Sequence, residues 1–167
     1  MKHKIIVGMP FALITVCLFI MYGTNIGVPG IAQYWSDFEL LDMQWFYSAD
    51  TVTIMLQNIG ADGIRHYLYY FVVDFVFIVL LFLVQLQISK TVSEKNQKIC
   101  RFLVAFAVAL SVLDLLEDIL LSLTITDKLP VGVITFTSCI TALKFFALFL
   151  WCGILLINTL YNKFAER

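Results

Sequence analysis

The sequence predicts an all-α integral membrane protein: an antiparallel four-helix transmembrane bundle with an amphipathic interfacial helix in the first outer loop. Of its 167 residues, 61% are hydrophobic and only 14% charged, too apolar for a soluble domain of this length. Four apolar stretches, roughly 5–23, 66–88, 101–124 and 131–160, are each long enough to cross a hydrocarbon core at about 1.5 Å per residue. No polar segment is long enough to fold separately, so residues 1–167 read as one domain.

The first stretch follows Lys2, His3 and Lys4, the arrangement of a secretory signal peptide. No small-x-small cleavage site follows it at Met21-Tyr22-Gly23-Thr24-Asn25, which predicts an uncleaved first span. Gly23, Gly27, Pro29 and Gly30 then break the helix, and residues 24–62 form the one long connection. Its Tyr34, Trp35, Trp45, Phe46 and Tyr47 are the amphipathic rings expected at a headgroup boundary. Ser48 is an expected N-cap for a surface helix carrying Val52, Met55, Leu56 and Ile59 at i, i+3, i+4, i+7, and Gly60 ends it. That helix reads as an interfacial float or as a lid over the outer end of the bundle.

The polar loop 89–100 makes the second and third spans antiparallel neighbours, and the connection around Asp127, Lys128 and Pro130 does the same for the third and fourth. There is no internal repeat of the kind a single-chain inverted-repeat transporter needs. Lys2, Lys4, Lys90, Lys95, Lys98, Arg101, Lys163 and Arg167 flank one face. The other carries Asp37, Glu39, Asp42, Asp50, Asp62 and Asp127 with only Arg65 and Lys128. An even number of spans and this asymmetry predict both termini in the cytoplasm, with the chain in the plasma (inner) membrane. The basic fringe is an orientation signal and an attraction to anionic membrane lipids, too small a surplus for a nucleic-acid partner. Cys17, Cys100, Cys139 and Cys152 are scattered singly, His3 and His66 are isolated, and the expectation is no cofactor, no metal site and no dithiol chemistry.

The informative residues are charges inside the spans: Asp74 in the second, Asp114, Glu117 and Asp118 in the third, and Lys144 in the fourth. Each costs about 2.5–3.5 kcal/mol at bilayer depth on insertion scales. Tyr67, Tyr70, Asp74 and Gln85 share one narrow face of the second span. Ser111, Asp114, Asp118 and Ser122, with Glu117 beside them, line the third; Thr137, Thr141 and Lys144 line the fourth. Depth counting puts Asp74 roughly 12 Å, Glu117 about 10 Å and Asp114 about 15 Å below the outer boundary, with Lys144 raised to that level if the overlong fourth span projects outward. The stripes are thus expected to converge in the outer half of the bundle, with Arg65 closing the pocket from above. Four carboxylates against two bases leave an acidic surplus, and Asp114 and Asp118, one turn apart, are the expected pair to share a proton.

Tyr47 ahead of an amphipathic helix, Gly60-x-x-Gly63 followed by Arg65 and Tyr67, Asp74, Asp114-x-x-Glu117-Asp118 and Lys144 together resemble a group of small four-span prokaryotic membrane proteins of uncharacterised activity. The resemblance covers roughly residues 40–150 and implies the four-span architecture, with no activity attached. Ile64 is inserted where a glycine directly followed by arginine belongs, and Glu117-Asp118 stands where Glu-Asn belongs. Claudin-type proteins share the inner termini and long first outer loop but carry a loop cysteine pair absent here, and small multidrug exporters place a lone glutamate in the first span, which has no charge here.

Three functions compete on these residues. The first is an outward-opening acidic cavity, built from Arg65, Tyr67, Tyr70, Asp74, Asp114, Glu117, Asp118 and Lys144, that binds or transports a small cation, amine or lipid headgroup, with proton linkage. The second is an intramembrane enzyme acting on lipid or isoprenoid, a carboxylate serving as general acid or base and Arg65 or Lys144 holding a phosphate; the absence of a Ser/His/Asp set or an activated cysteine weighs against it. The third is an accessory subunit whose polar stripe meets a membrane protein partner.

Overall fold

In a computed structural model, which describes residues 2–94 and 96–165 and the side chains of 9–94 and 96–164, the chain is 84% helical with no strand among the described residues. The side chains of Lys2, His3 and Lys4, and all of Lys95 and Arg167, counted above among the basic residues, lie outside what is described. The helices are α1 (Lys2–Gly23), α2 (Val28–Ala32), α3 (Ala49–Val92), α4 (Gln97–Ile125) and α5 (Ile134–Ala165), with 3-10 turns at Leu41–Met43 and Val131–Val133. Four segments are long and apolar enough to cross a membrane, one each from α3, α4 and α5 and one comprising most of α1 with α2. This is a multi-pass membrane protein with an all-α four-helix bundle.

The breaks between elements follow from particular residues. A Cβ at Gly27 would lie 1.9 Å from the Met21 carbonyl oxygen, so only glycine lets the chain fold back under the end of α1. Ser48 caps α3, its side chain accepting from the Thr51 N–H. Inside α3, Gly60 adopts φ 62° and ψ −171°, a region open essentially to glycine alone, and there the helix kinks. The predicted surface helix is therefore the first part of α3, burying Val52, Met55 and Ile59, and the second span starts beyond the kink. At the end of α4, Asp127 takes φ 55°, the Lys128 N–H reaches back to the Leu123 carbonyl at 2.9 Å and the Asp127 N–H to Thr124 at 3.1 Å. That is the Schellman closure, with aspartate in the left-handed position that glycine usually holds.

The spans pack in chain order: α1 on α3, α3 on α4, α4 on α5, with α3 also touching α5. Among the described residues α1 has little contact with α5, and a cavity separates the two. Tyr69, Val72, Val76, Val79 and Leu83 form an exposed apolar stripe on the side of α3 opposite Asp74, the surface offered to lipid. Lipid is as apolar as leucine, so the bundle is held by shape and by hydrogen bonds across helices rather than by expulsion from water. At the end away from the long loop, Trp151 Nε1–H donates to Ser89 Oγ at 3.2 Å. Asn158 Nδ2–H donates at 2.8 Å to the Val92 carbonyl, one of the acceptors a helix C-terminus leaves orphaned. At the opposite end lies the larger core, where Leu40, Leu41, Tyr47, Met55, Tyr67, Phe71 and Leu121 meet around the polar residues.

Candidate functional site

The site begins with the ammonium of Lys144 on α5, which has three protons to place. Two of them are donated, to Asp114 Oδ1 at 2.8 Å and to the backbone carbonyl of Asp42 at 3.1 Å, while Glu117 Oε2 lies 2.6 Å from the nitrogen as an ion pair without hydrogen-bond geometry. The charge thus meets two carboxylates and a carbonyl, as burial demands in a medium that cannot solvate it. Glu117 is fully buried, and its second oxygen accepts from the Thr141 hydroxyl. Thr141 lies 3.1 Å from the Tyr47 hydroxyl, so a chain of hydroxyls runs from the loop through Thr141 to Glu117. Thr137 and Ser111 instead donate to carbonyls one turn back in their own helices, and Ser122 to the carbonyl three residues back.

Asp118, also fully buried, points elsewhere. Among the described residues no hydrogen-bond partner reaches either of its oxygens, and its neighbouring acid on α3 is Asp74. Two carboxyl groups that meet can hydrogen-bond only through a proton that one of them carries. Asp114 is paired with Lys144, which leaves Asp118, beside Asp74, as a buried acid without a base.

The long loop supplies a fifth carboxyl that the sequence reading placed on the outer surface. Asp42, in the Leu41–Met43 turn, is 4% exposed and accepts from the Tyr70 hydroxyl at 2.9 Å, while its other oxygen has no partner among the described residues. Burial pushes its carboxyl above the ordinary range, and the Lys144 charge and the Tyr70 hydrogen bond only partly offset this. The turn is fastened on several sides. The Leu41 N–H donates to the Tyr67 hydroxyl at 3.2 Å, the Tyr47 N–H donates to Ser138 Oγ at 2.9 Å, and Trp45 stacks on Phe145 and Phe149. Tyr67 and Tyr70, both expected at the ligand site, hold the loop down, and Tyr70 also lines the cavity described next. Arg65 is exposed and makes no ion pair among the described residues, so the expected closure by this arginine is replaced by closure with the Leu40–Tyr47 segment.

Beside this cluster lies a cavity of about 280 Å³. Asp42, Tyr70, Asp74, Asp114 and Lys144 form its polar end; Leu18, Ile78, Leu81, Leu110 and Leu148 form an apolar length; Gln85 lies further down α3. Its exposed lining residues, Leu18 and Tyr22 on α1 and Met43 of the loop, put the mouth beside α1. The Leu41–Met43 turn thus covers part of the polar end, and the exposed lining lies beside α1 and at Met43. With Lys144 ion-paired to both Asp114 and Glu117, the cavity meets carboxyl oxygens and a base that is already neutralised. Among the described residues, no three His, Cys, Asp or Glu side chains are grouped to hold a metal ion. Comparison of the chain with protein-family models, with curated proteins and with solved structures gives no match.

Proposed function

We propose that this protein binds, and carries across or along the membrane, an organic cation with an apolar body: an amine whose ammonium sits at Asp74 and Asp114. The observation that supports it is the cavity's gradient, acidic at one end and hydrocarbon-lined along its length, with its only base already neutralised. An inorganic cation is a poorer fit, because a hard ion wants six or more oxygens around it and the greater part of this cavity's lining is apolar. A phosphate-handling enzyme is poorer still, since Lys144 is already paired with two carboxylates and Arg65 is exposed. The exposed lining beside α1 gives such an amphiphile a path from the bilayer.

The test is thermal stabilisation of the purified chain by straight-chain alkylamines against alcohols and carboxylates of equal length. Amines alone are expected to raise the midpoint, and Asp114→Asn is expected to weaken them by about tenfold, the loss of one charge-assisted contact of about 1.5–3 kcal/mol. If no amine stabilises the wild type, or if alcohols match them, the binding reading fails and an accessory-subunit role at a partner helix becomes the better account.

We place both termini in the cytoplasm of a plasma (inner) membrane, on the distribution of bases alone. With the native cysteines removed, a thiol at Ser48 is expected to react with an impermeant reagent on intact cells and one at Ser93 is not. The opposite labelling pattern reverses the topology.

A further inference from the structure

Gln85 is a polar side chain that the acidic cluster does not explain. It is 4% exposed, lines the same cavity, and its Oε1 has no hydrogen-bond partner among the described residues. A buried amide oxygen left unsatisfied carries its desolvation penalty in full, so a glutamine here calls for a partner that arrives with something else. It stands eleven residues along α3 from Asp74 on the same face, about 16 Å down the helix axis. Between them the wall is hydrocarbon, from Leu81, Leu110 and Leu148. Cavities of about 150 Å³ admit benzene, so one of 280 Å³ suits a ligand of roughly a dozen heavy atoms, extended rather than compact given the spacing of its polar ends.

We propose that the cavity is a two-ended site whose ligand is a long-chain amino alcohol or similar amphiphile, its ammonium at Asp74 and Asp114, its chain along the leucines, and its hydrogen-bonding far end at Gln85. This rests on the amine-binding reading above and deepens it. Gln85 measures length: it favours a hydroxyl delivered at one distance from the ammonium, which a plain alkylamine cannot supply.

The experiment compares straight-chain alkylamines with ω-hydroxyalkylamines of matched length, from about six to about fourteen heavy atoms, as ligands that stabilise the full chain. In the wild type, the hydroxyl is expected to tighten binding by about two- to tenfold at one length and to weaken it at shorter ones, where it is left in hydrocarbon. Gln85→Leu is expected to abolish that preference while alkylamines still bind. Gln85→Met serves as a second variant of similar length should leucine impair folding. A hydroxyl that helps at no length, or a preference that survives loss of the amide, overturns the two-ended site while leaving amine binding standing. Failure of every alkylamine removes the amine reading and this inference with it.

Discussion

Replacing Lys144 with methionine is expected to destabilise the protein by about 3–5 kcal/mol, the usual cost of removing one partner from a buried ion pair. The physical reason is Glu117 rather than Asp114. Glu117 is fully buried and receives Lys144 at 2.6 Å, so losing the ammonium strands a carboxylate in the bundle unless it takes up a proton. Asp114 is 19% exposed at its side chain and borders the cavity, where water can follow the loss. In the Lys144→Met background, Glu117→Gln is therefore expected to recover more stability than Asp114→Asn, because the amide keeps the shape and still accepts from Thr141. Unfolding of the wild type, the three single variants and the two double variants in one detergent gives the coupling. Losses that simply add, or a larger rescue by Asp114→Asn, would contradict this assignment of the buried charge.

The helices and their polar faces were legible because the rules that write them are local. The periodicity that groups Tyr67, Tyr70, Asp74 and Gln85, the N-cap at Ser48 and the break at Gly60 each depend on neighbours within a few turns, and the structure shows each of them. The same periodicity argues against Arg65 as a member of the stripe: nine residues before Asp74 is about 180° around the helix, the opposite side. Asp42 was hidden for a different reason. It stands among Asp37, Glu39 and Asp50, which are exposed, and nothing local announces that its turn folds back onto Tyr70 and Lys144. The available signal was its setting, Leu40-Leu41-Asp42-Met43, an acid framed directly by apolar residues on both sides. Tyr47 was read as a headgroup ring, whereas its N–H and hydroxyl are both tied to α5. Long-range closure of a loop over a cavity leaves little trace in spacing, and with it goes the direction in which the cavity opens.

The contact between Asp74 and Asp118 leads to the second large effect, a pH dependence of ligand affinity. Two acids side by side out of water repel if both are ionised, so a proton held between them is the lower-energy arrangement, and Asp74 alone of the two lines the cavity. An ammonium arriving there brings its own donors to Asp74 and raises the local positive charge, so the shared proton is no longer needed as a bridge and leaves. Release of one proton on binding means that affinity for an alkylamine rises about tenfold per pH unit over the range in which the pair gives up that proton. Asp118→Asn should flatten this dependence. The amide donates to Asp74 permanently, carries no exchangeable charge, and nearly preserves the shape of the buried carboxyl, so stability should change by no more than about 1 kcal/mol. The measurement is alkylamine affinity against pH, by titration calorimetry in two buffers of different ionisation enthalpy, for wild type and Asp118→Asn. Proton release by the wild type that is absent from the variant fits a pair that trades its proton for the ligand. Equal slopes in the two proteins would make Asp74 and Asp118 a structural clasp between α3 and α4, and the coupling of binding to protons would have to be abandoned.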